Sequence, residues 1–304
     1  MFKNTQYLLK KTIKHYLSTS YPTFMTKRLF KKKLNLELNI HTPRTFNEKL
    51  QWLKLNYYNN NPLVTTCADK YAVRNYITDL GHSEILNSIH HVWDNVEDII
   101  WETLPNKFVL KCNHGAGYNI ICRNKEELNQ HKIRESLKKW MKEEYWVNTL
   151  ELCYKNIPKK IICEDLIKTN DGSLPYDYKV FCFHGKPEFV MVCIERETKN
   201  PKFYFLDKNW DLLPYGLDYD KLPNNKMIKK PSGYEKLFYY AEELSKPFPF
   251  VRADFYLNNG NIIFGELTFV PAAGLDDELN NDNEKNVDDI IGALIDIEKI
   301  KNEQ

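Results

Sequence analysis

The stretch Lys107-Phe108-Val109-Leu110-Lys111-Cys112-Asn113-His114-Gly115-Ala116-Gly117-Tyr118-Asn119-Ile120-Ile121-Cys122-Arg123 sets two runs of strand character on either side of a glycine loop. In the first run one ammonium, Lys111, interrupts an otherwise apolar strand just before the loop. Loop glycines lack Cβ and reach positive φ, so successive N–H groups can close on phosphate oxygens. A loop of the GxxxxGK[ST] kind opens a helix whose N-terminus carries the phosphate. Here the chain instead continues through β-branched Ile120 and Ile121, which read as strand. The dinucleotide fingerprint fails for the same reason. The stretch therefore predicts strand, glycine loop, strand, a flap over a phosphate chain. A plain hairpin with a lysine on its solvent face satisfies the same pattern.

At 304 residues the chain should bury a sizeable core divided into two or three lobes. With 43 basic against 41 acidic residues, the balance argues against wholesale nucleic-acid binding. The distribution is uneven: nine Lys or Arg fall between Lys3 and Lys33, and the first acid is Glu37. Seven cysteines without a CxxC pair fit core thiols in a reducing compartment rather than a disulfide framework or zinc site. No run approaches the roughly 20 apolar residues of a membrane span, and no secretory h-region opens the chain, so the expected location is cytoplasmic. The basic segments Lys10–Leu17 and Lys27–Lys33 read as solvated helix faces. They also fit peripheral contact with an anionic membrane or glycan carrier.

Residues 1–44 predict one or two basic helices ending near His41-Thr42-Pro43. Thr45 and Glu48 form a capping box before a stripe of Phe46, Leu50, Leu53 and Tyr57. A second helix is expected from about Leu63 or Ala68 through Leu80, carrying Lys70, and another over Asp94–Leu104. Leu128, Ile133, Leu137, Trp140 and Met141 mark an amphipathic helix. Lys160–Ile167 is an apolar strand ending on Glu164-Asp165, and Asp177–Phe183 returns through His184-Gly185 into Phe189–Ile194. Phe203–Leu213 reads as a hairpin, and Ser232 to Glu235 as a second capping box. In Phe250–Tyr256 alternation puts Arg252 and Asp254 on one face, and in Ile262–Phe269 Glu266 shares a face with Thr268. A two-residue Asn259-Gly260 turn would send Asp254 and Glu266 to opposite faces. A three-residue loop or a bulge would pair them, and the expectation is that the turn is not a simple two-residue one.

Taken together, RTFNEKLQWLKL, DKYAVR, FVLKCNHGAGYNII, DYKVFCFHGKPEF and FPFVRADFY…GELTF resemble, in that order over residues 44–275, the ATP-grasp superfamily. The match is to its TupA-like branch, associated with bacterial surface polysaccharide biosynthesis. The resemblance implies an α+β fold in which two lobes clasp a nucleotide after a mostly helical N-terminal region. The segments would be 1–44 basic and helical, 45–106 N-terminal lobe, 107–167 central lobe with the flap, and 168–304 C-terminal lobe with the metal site. It implies ATP and Mg²⁺ as cofactors. Lys70 and Lys111 would hold phosphate, Gly115 and Gly117 would form the flap, and Glu164 and Asp165 would meet adenine and ribose. Lys179 and Arg252 would be catalytic, and Asp254, Glu266 and Thr268 would bind metal. The usual E-x-N ending is Glu266-Leu267-Thr268 here, with a hydroxyl in place of an amide.

The implied activity is a carboxylate–amine ligase working through an acyl phosphate. It would join an amino acid or small amine to a uronic-acid carboxyl that is free, nucleotide-linked or part of a glycan. Alternatives are a glycosyltransferase of the same pathway, for which no convincing DxD motif stands in a βαβ context, and a non-catalytic glycan- or carrier-binding protein.

Overall fold

The computed structural model describes residues 2–167, 169, 172–222, 228–258, 260–279 and 286–303, the side chains of 2–5, 7, 8 and 303 excepted. Its helices are α1 (Phe2–Ser20), α2 (Pro22–Leu34), α3 (Phe46–Asn56), α4 (Pro62–Ala68), α5 (Val73–Asp79), α6 (Gln130–Lys142), α7 (Tyr145–Thr149), α8 (Glu235–Ser245), α9 (Val287–Gly292) and α10 (Ile297–Glu303). The strands are β1 (Ile89–Trp93), β2 (Phe108–Cys112), β3 (Asn119–Cys122), β4 (Ile161–Asp165), β5 (Asp177–Phe183), β6 (Lys186–Ile194), β7 (Lys202–Asp207), β8 (Leu212–Leu213), β9 (Phe250–Asn258) and β10 (Asn261–Thr268).

The chain divides into two compact units. Residues 1–65, 144–156 and 270–304 form one, and residues 66–143 and 157–269 the other. The first is helical. Its organising helix, α3, opens with the expected capping box: Thr45 accepts from the Glu48 N–H while Glu48 reaches back to the cap. Lys49 donates to the carbonyls of Gly292, which also accepts from the Ile295 N–H, and of Ile295, tying α3 to the chain just after α9. Lys54 is buried, donating to the Thr149 carbonyl; burial pulls its ammonium down to about 8, against the opposing pull of Glu151. The helices here end sooner than expected, α2 stopping at Leu34 with Asn35 in the left-handed conformation.

The second unit holds both sheets. One has the order β1-β4-β2-β3 and the other β10-β9-β5-β6-β7-β8, with antiparallel pairing throughout. The expected flap is present as a hairpin, with Lys111 opposite Asn119 and the Cys112 N–H on the Tyr118 carbonyl. Phe108, Leu110 and Cys112 on one face of β2 pack with Ile133 and Leu137 of α6, so the alternate residue Lys111 turns the other way. On the larger sheet, Cys182 lies against the Ala241 carbonyl of α8. The other face of β5 presents Asp177, Lys179 and Phe181, the last stacked on Phe189 with centroids 4.7 Å apart. His184 and Gly185, both at positive φ, make the tight turn between β5 and β6.

Several expected elements differ. The helix from 63 to 80 is two helices, because the Asp69 carboxylate accepts from the Tyr71 N–H and turns the chain at Lys70. Asp94–Leu104 winds into two 3₁₀ turns at Val96–Asp98 and Trp101–Thr103 rather than a helix. No side-chain cap opens α8, so Ser232 and Glu235 do not form a capping box. The β9–β10 turn is also corrected. Asn258 pairs with Asn261, the register of a two-residue connection, although Asn259 itself lies outside the described residues. The extra residue enters further along, as a bulge at Gly265 that restores Glu266 opposite Asp254 and Thr268 opposite Arg252.

A Cβ on Gly265 would stand 2.9 Å from the Asp254 carbonyl oxygen, a backbone atom that cannot swing aside. Gly265→Ala is therefore expected to cost about 1–3 kcal/mol through overpacking, read as a lowered urea midpoint. An unchanged midpoint would show that the bulge tolerates a side chain.

Candidate active site

Three side chains of the second unit are placed by strand alternation. Asp177 and Lys179 share a face of β5, and Asp254 lies opposite Lys179 on β9. The Lys179 ammonium bridges Asp177 at 2.6 Å and Asp254 at 2.7 Å. Arg252 grips both Asp254 oxygens at 2.7 Å. This two-point pairing is the geometry for which the guanidinium fork is suited. Burial alone would lower Lys179 and Arg252, but Asp254 foremost raises both above their ordinary values. Asp177 is pushed up by burial, with Lys179 opposing.

Lys70 comes from the turn between α4 and α5. Its ammonium lies 2.8 Å from Glu266 and 3.0 Å from the Gly115 carbonyl. The turn is fixed to the base of the flap: Asn113 donates to Asp69 and to the Pro158 carbonyl and accepts from the Lys160 N–H. Burial would raise the Glu266 carboxyl, yet Lys70, Lys179 and Arg252 together hold it at about 2. That stabilisation is complete above the ordinary value of 4.5 and is lost as pH falls toward 2. Stability should thus fall more steeply with acid in the native chain than in Glu266→Gln, by up to one proton's worth of slope over that window. Parallel urea-midpoint profiles of the two proteins would contradict this.

Lys111 projects from β2 onto Glu164 of β4 at 2.7 Å. Burial would lower Lys111, but Glu164 raises it above its usual value. One cavity is lined by Lys70, Lys111, Lys179, Asp254 and Glu266 together with Gly117 of the flap. A second, more apolar recess shares Lys111, Asn119, Arg196 and Tyr256 with it and continues past Val109, Ile121, Glu164 and Leu166. The structure thus brings together Lys70, Lys111, Lys179, Asp254 and Glu266, and sets Glu164 and Asp165 in the recess. Asp165 lies 2.7 Å from His90. Gly117 alone of the two flap glycines has positive φ, and Gly115 is buried. Arg252 and Thr268 do not line the cavity; Arg252 lies behind Asp254 and donates to the Thr268 hydroxyl at 3.3 Å.

Three residues of this site escaped the sequence reading. Asp177 and Tyr256 were legible from alternation, since each stands two residues from an assigned one. Arg196, whose guanidinium lies 5.1 Å from the Tyr256 ring, follows a left-handed Glu195 after β6 and gave no periodic signal. His114 is buried in the flap loop; burial holds its imidazole down to about 4, and its Nε2 donates to the Trp140 carbonyl. Donation through Nε2 fixes the tautomer and ties the ring to α6, and Nδ1 stays buried without a hydrogen-bond partner among the described residues.

Among the described residues no three His, Cys, Asp or Glu side chains converge as a ready metal cage. Asp254 and Glu266 do supply paired hard oxygen donors at register-matched positions. That set fits Mg²⁺, which takes few protein ligands, when phosphate oxygens and water complete its octahedron.

No curated protein matches the chain in sequence. Among solved structures, it is similar to D-alanine–D-alanine ligase from Bacillus anthracis complexed with ATP, at 13% identity and a TM-score of 0.48, covering 79% of this chain and 69% of that one. It is also similar to N5-carboxyaminoimidazole synthase from Aspergillus clavatus in complex with ADP and an aminoimidazole ribonucleotide, at 12% identity and a TM-score of 0.40, covering 71% and 51%. A third likeness is to the ATP-grasp ligase PsnB complexed with minimal precursor, at 11% identity and a TM-score of 0.39, covering 73% and 59%. The model of the TupA-like ATP-grasp family matches residues 48–296, through the flap, both lysine positions and the bulged hairpin, and the chain belongs to that family.

Proposed function

We propose that the chain is an ATP-dependent carboxylate–amine ligase. The observation that carries this reading is the convergence of Lys70 and Lys111 with the paired carboxylates Asp254 and Glu266 on one cavity, beside an apolar recess. Adenine fits the recess, between the side chains of Val109, Ile121 and Leu166. The triphosphate lies among Lys70, Lys111 and Lys179 under the Gly117 flap. Asp254 and Glu266 would hold Mg²⁺, which would supply positive charge against the phosphates. A substrate carboxylate oxygen attacks the γ-phosphorus and ADP departs, leaving an acyl phosphate. An amine then attacks the carbonyl carbon, the C–O bond to phosphate breaks, and the nitrogen gives up a proton to leave an amide.

Phosphorylation matters because a free carboxylate would have to expel oxide. The protein's part is electrostatic: fixed ammonium groups in a partly dry cleft stabilise charge moving onto the leaving oxygen. Arg252 keeps Asp254 and, through it, Lys179 in place. Membership of the TupA-like family supports a uronic-acid carboxyl of a surface-polysaccharide precursor as acceptor, with an amino acid or small amine as nucleophile. The test is a coupled ADP-release screen of uronic acids and nucleotide-linked uronates against amines, with mass spectrometry for the amide. ADP release that requires both substrates is the expected result. A folded chain that transfers a sugar, or binds glycan without consuming ATP, would replace this reading with one of the alternatives.

A further inference from the structure

The α1–α2 hairpin combines exposed apolar side chains with unpaired positive charge. Leu9, Ile13 and Tyr16 recur at helical spacing along α1 and remain 60%, 49% and 58% exposed; Phe24 of α2 is 55% exposed. Beside them opens a cavity of about 330 Å³ whose apolar wall includes Ile13 and Leu29 and whose cations are Lys10, Lys14, Arg28 and Lys32. No carboxylate lines it. The acids that meet this hairpin are spent elsewhere, Glu37 on Lys31, Asp277 on Lys33 and Glu144 on His15. Among the described residues Lys10, Arg28 and Lys32 have no ion-pair partner, and Lys14 donates only to the Asn148 amide oxygen. Burial and the nearby Lys32 pull Lys14 below its ordinary value, as expected where like charges gather without an anion.

We propose that this hairpin is a docking surface for an anionic phospholipid bilayer, with a headgroup phosphate among Lys10, Lys14, Arg28 and Lys32 and the first acyl carbons over Ile13 and Leu29. Charge complementarity selects the anionic lipid, and the exposed apolar stripe selects a bilayer over a soluble anion. Basic residues next to an apolar face are the composition of helices that lie in a membrane interface. The surface belongs wholly to the first unit, so it stands or falls independently of the nucleotide site.

The test is co-sedimentation of the full chain with phosphatidylcholine vesicles and with vesicles containing one quarter phosphatidylglycerol. Binding is expected only to the latter and should weaken steeply as salt rises from about 0.1 to about 0.5 M. Replacing Lys10, Lys14, Arg28 and Lys32 by glutamine should weaken it roughly fivefold per charge, and Ile13→Ser should weaken it at constant charge. Melting temperature and ATP binding should not change in either variant. Equal binding to neutral vesicles, no binding to either, or an unaffected charge variant would overturn the proposal. So would displacement by millimolar inorganic phosphate, which would mark a soluble-anion site, or an Ile13→Ser variant that binds like the parent.

Discussion

Replacing Asp254 by alanine is expected to cost the fold about 3–5 kcal/mol, a large part of the total stability of a typical domain. Asp254 is 2% exposed and carries the Lys179 ammonium and both prongs of Arg252. Alanine would leave two cations, 14% and 11% exposed in their side chains, without their main counter-charge. Removing one partner of a buried ion pair is far more destructive than replacing the whole group, because desolvated charge is then uncompensated. Urea unfolding of Asp254→Ala against Asp254→Asn is the measurement. Asparagine keeps an acceptor oxygen for Arg252 and should lose less. Equal and small losses in both variants would mean that Lys179 and Arg252 find other partners, and the central role given to Asp254 would be wrong.

Lys111→Ala should lower ATP affinity by roughly ten- to a hundredfold, the loss of one charge-assisted contact worth about 1.5–3 kcal/mol. Its partner Glu164 has a side chain only 8% exposed, so the single variant also strands a carboxylate. The double variant Lys111→Ala, Glu164→Gln removes that complication. It should recover the stability lost by the single variant and still bind ATP weakly. Calorimetric titration alongside unfolding separates the two effects. If the folded double variant binds ATP as tightly as the parent, Lys111 is a structural partner of Glu164 and not a phosphate ligand.

The flap, the capping box at Thr45 and the β9–β10 hairpin that carries Asp254 were legible because each rests on local rules: alternation, glycine in a loop, a hydroxyl three residues before a glutamate. The bulge was legible only as one of two ways to bring Glu266 beside Asp254. The choice between them lies in a contact no local pattern encodes, the approach of Gly265 to the Asp254 carbonyl. Val96, Ile99, Trp101 and Leu104 imitate a helical stripe yet wind into 3₁₀ turns, since all four are drawn into the core beside β2 and α6. Lys70 reads as a helix residue until Asn113, more than forty positions away, is seen to hold Asp69 and fix the turn. Alternation made Arg252 and Asp254 readable as neighbours on one face, whereas Arg196, beyond the end of β6, gave no such signal.

Each cation in the cleft already has a carboxylate, and this makes nucleotide binding an exchange rather than an addition. Lys70, Lys111, Lys179 and Arg196 face Glu164, Asp177, Asp254 and Glu266, with Arg252 behind Asp254, so the resting cleft is close to neutral. A bare triphosphate would draw the ammonium groups to itself and leave the carboxylates to repel it. A triphosphate that arrives with a divalent cation offers a replacement partner to both sides at once. Affinity would then be the difference between two sets of ion pairs, and a preference for the metal-loaded nucleotide would come from the same register that sets Glu266 across from Asp254.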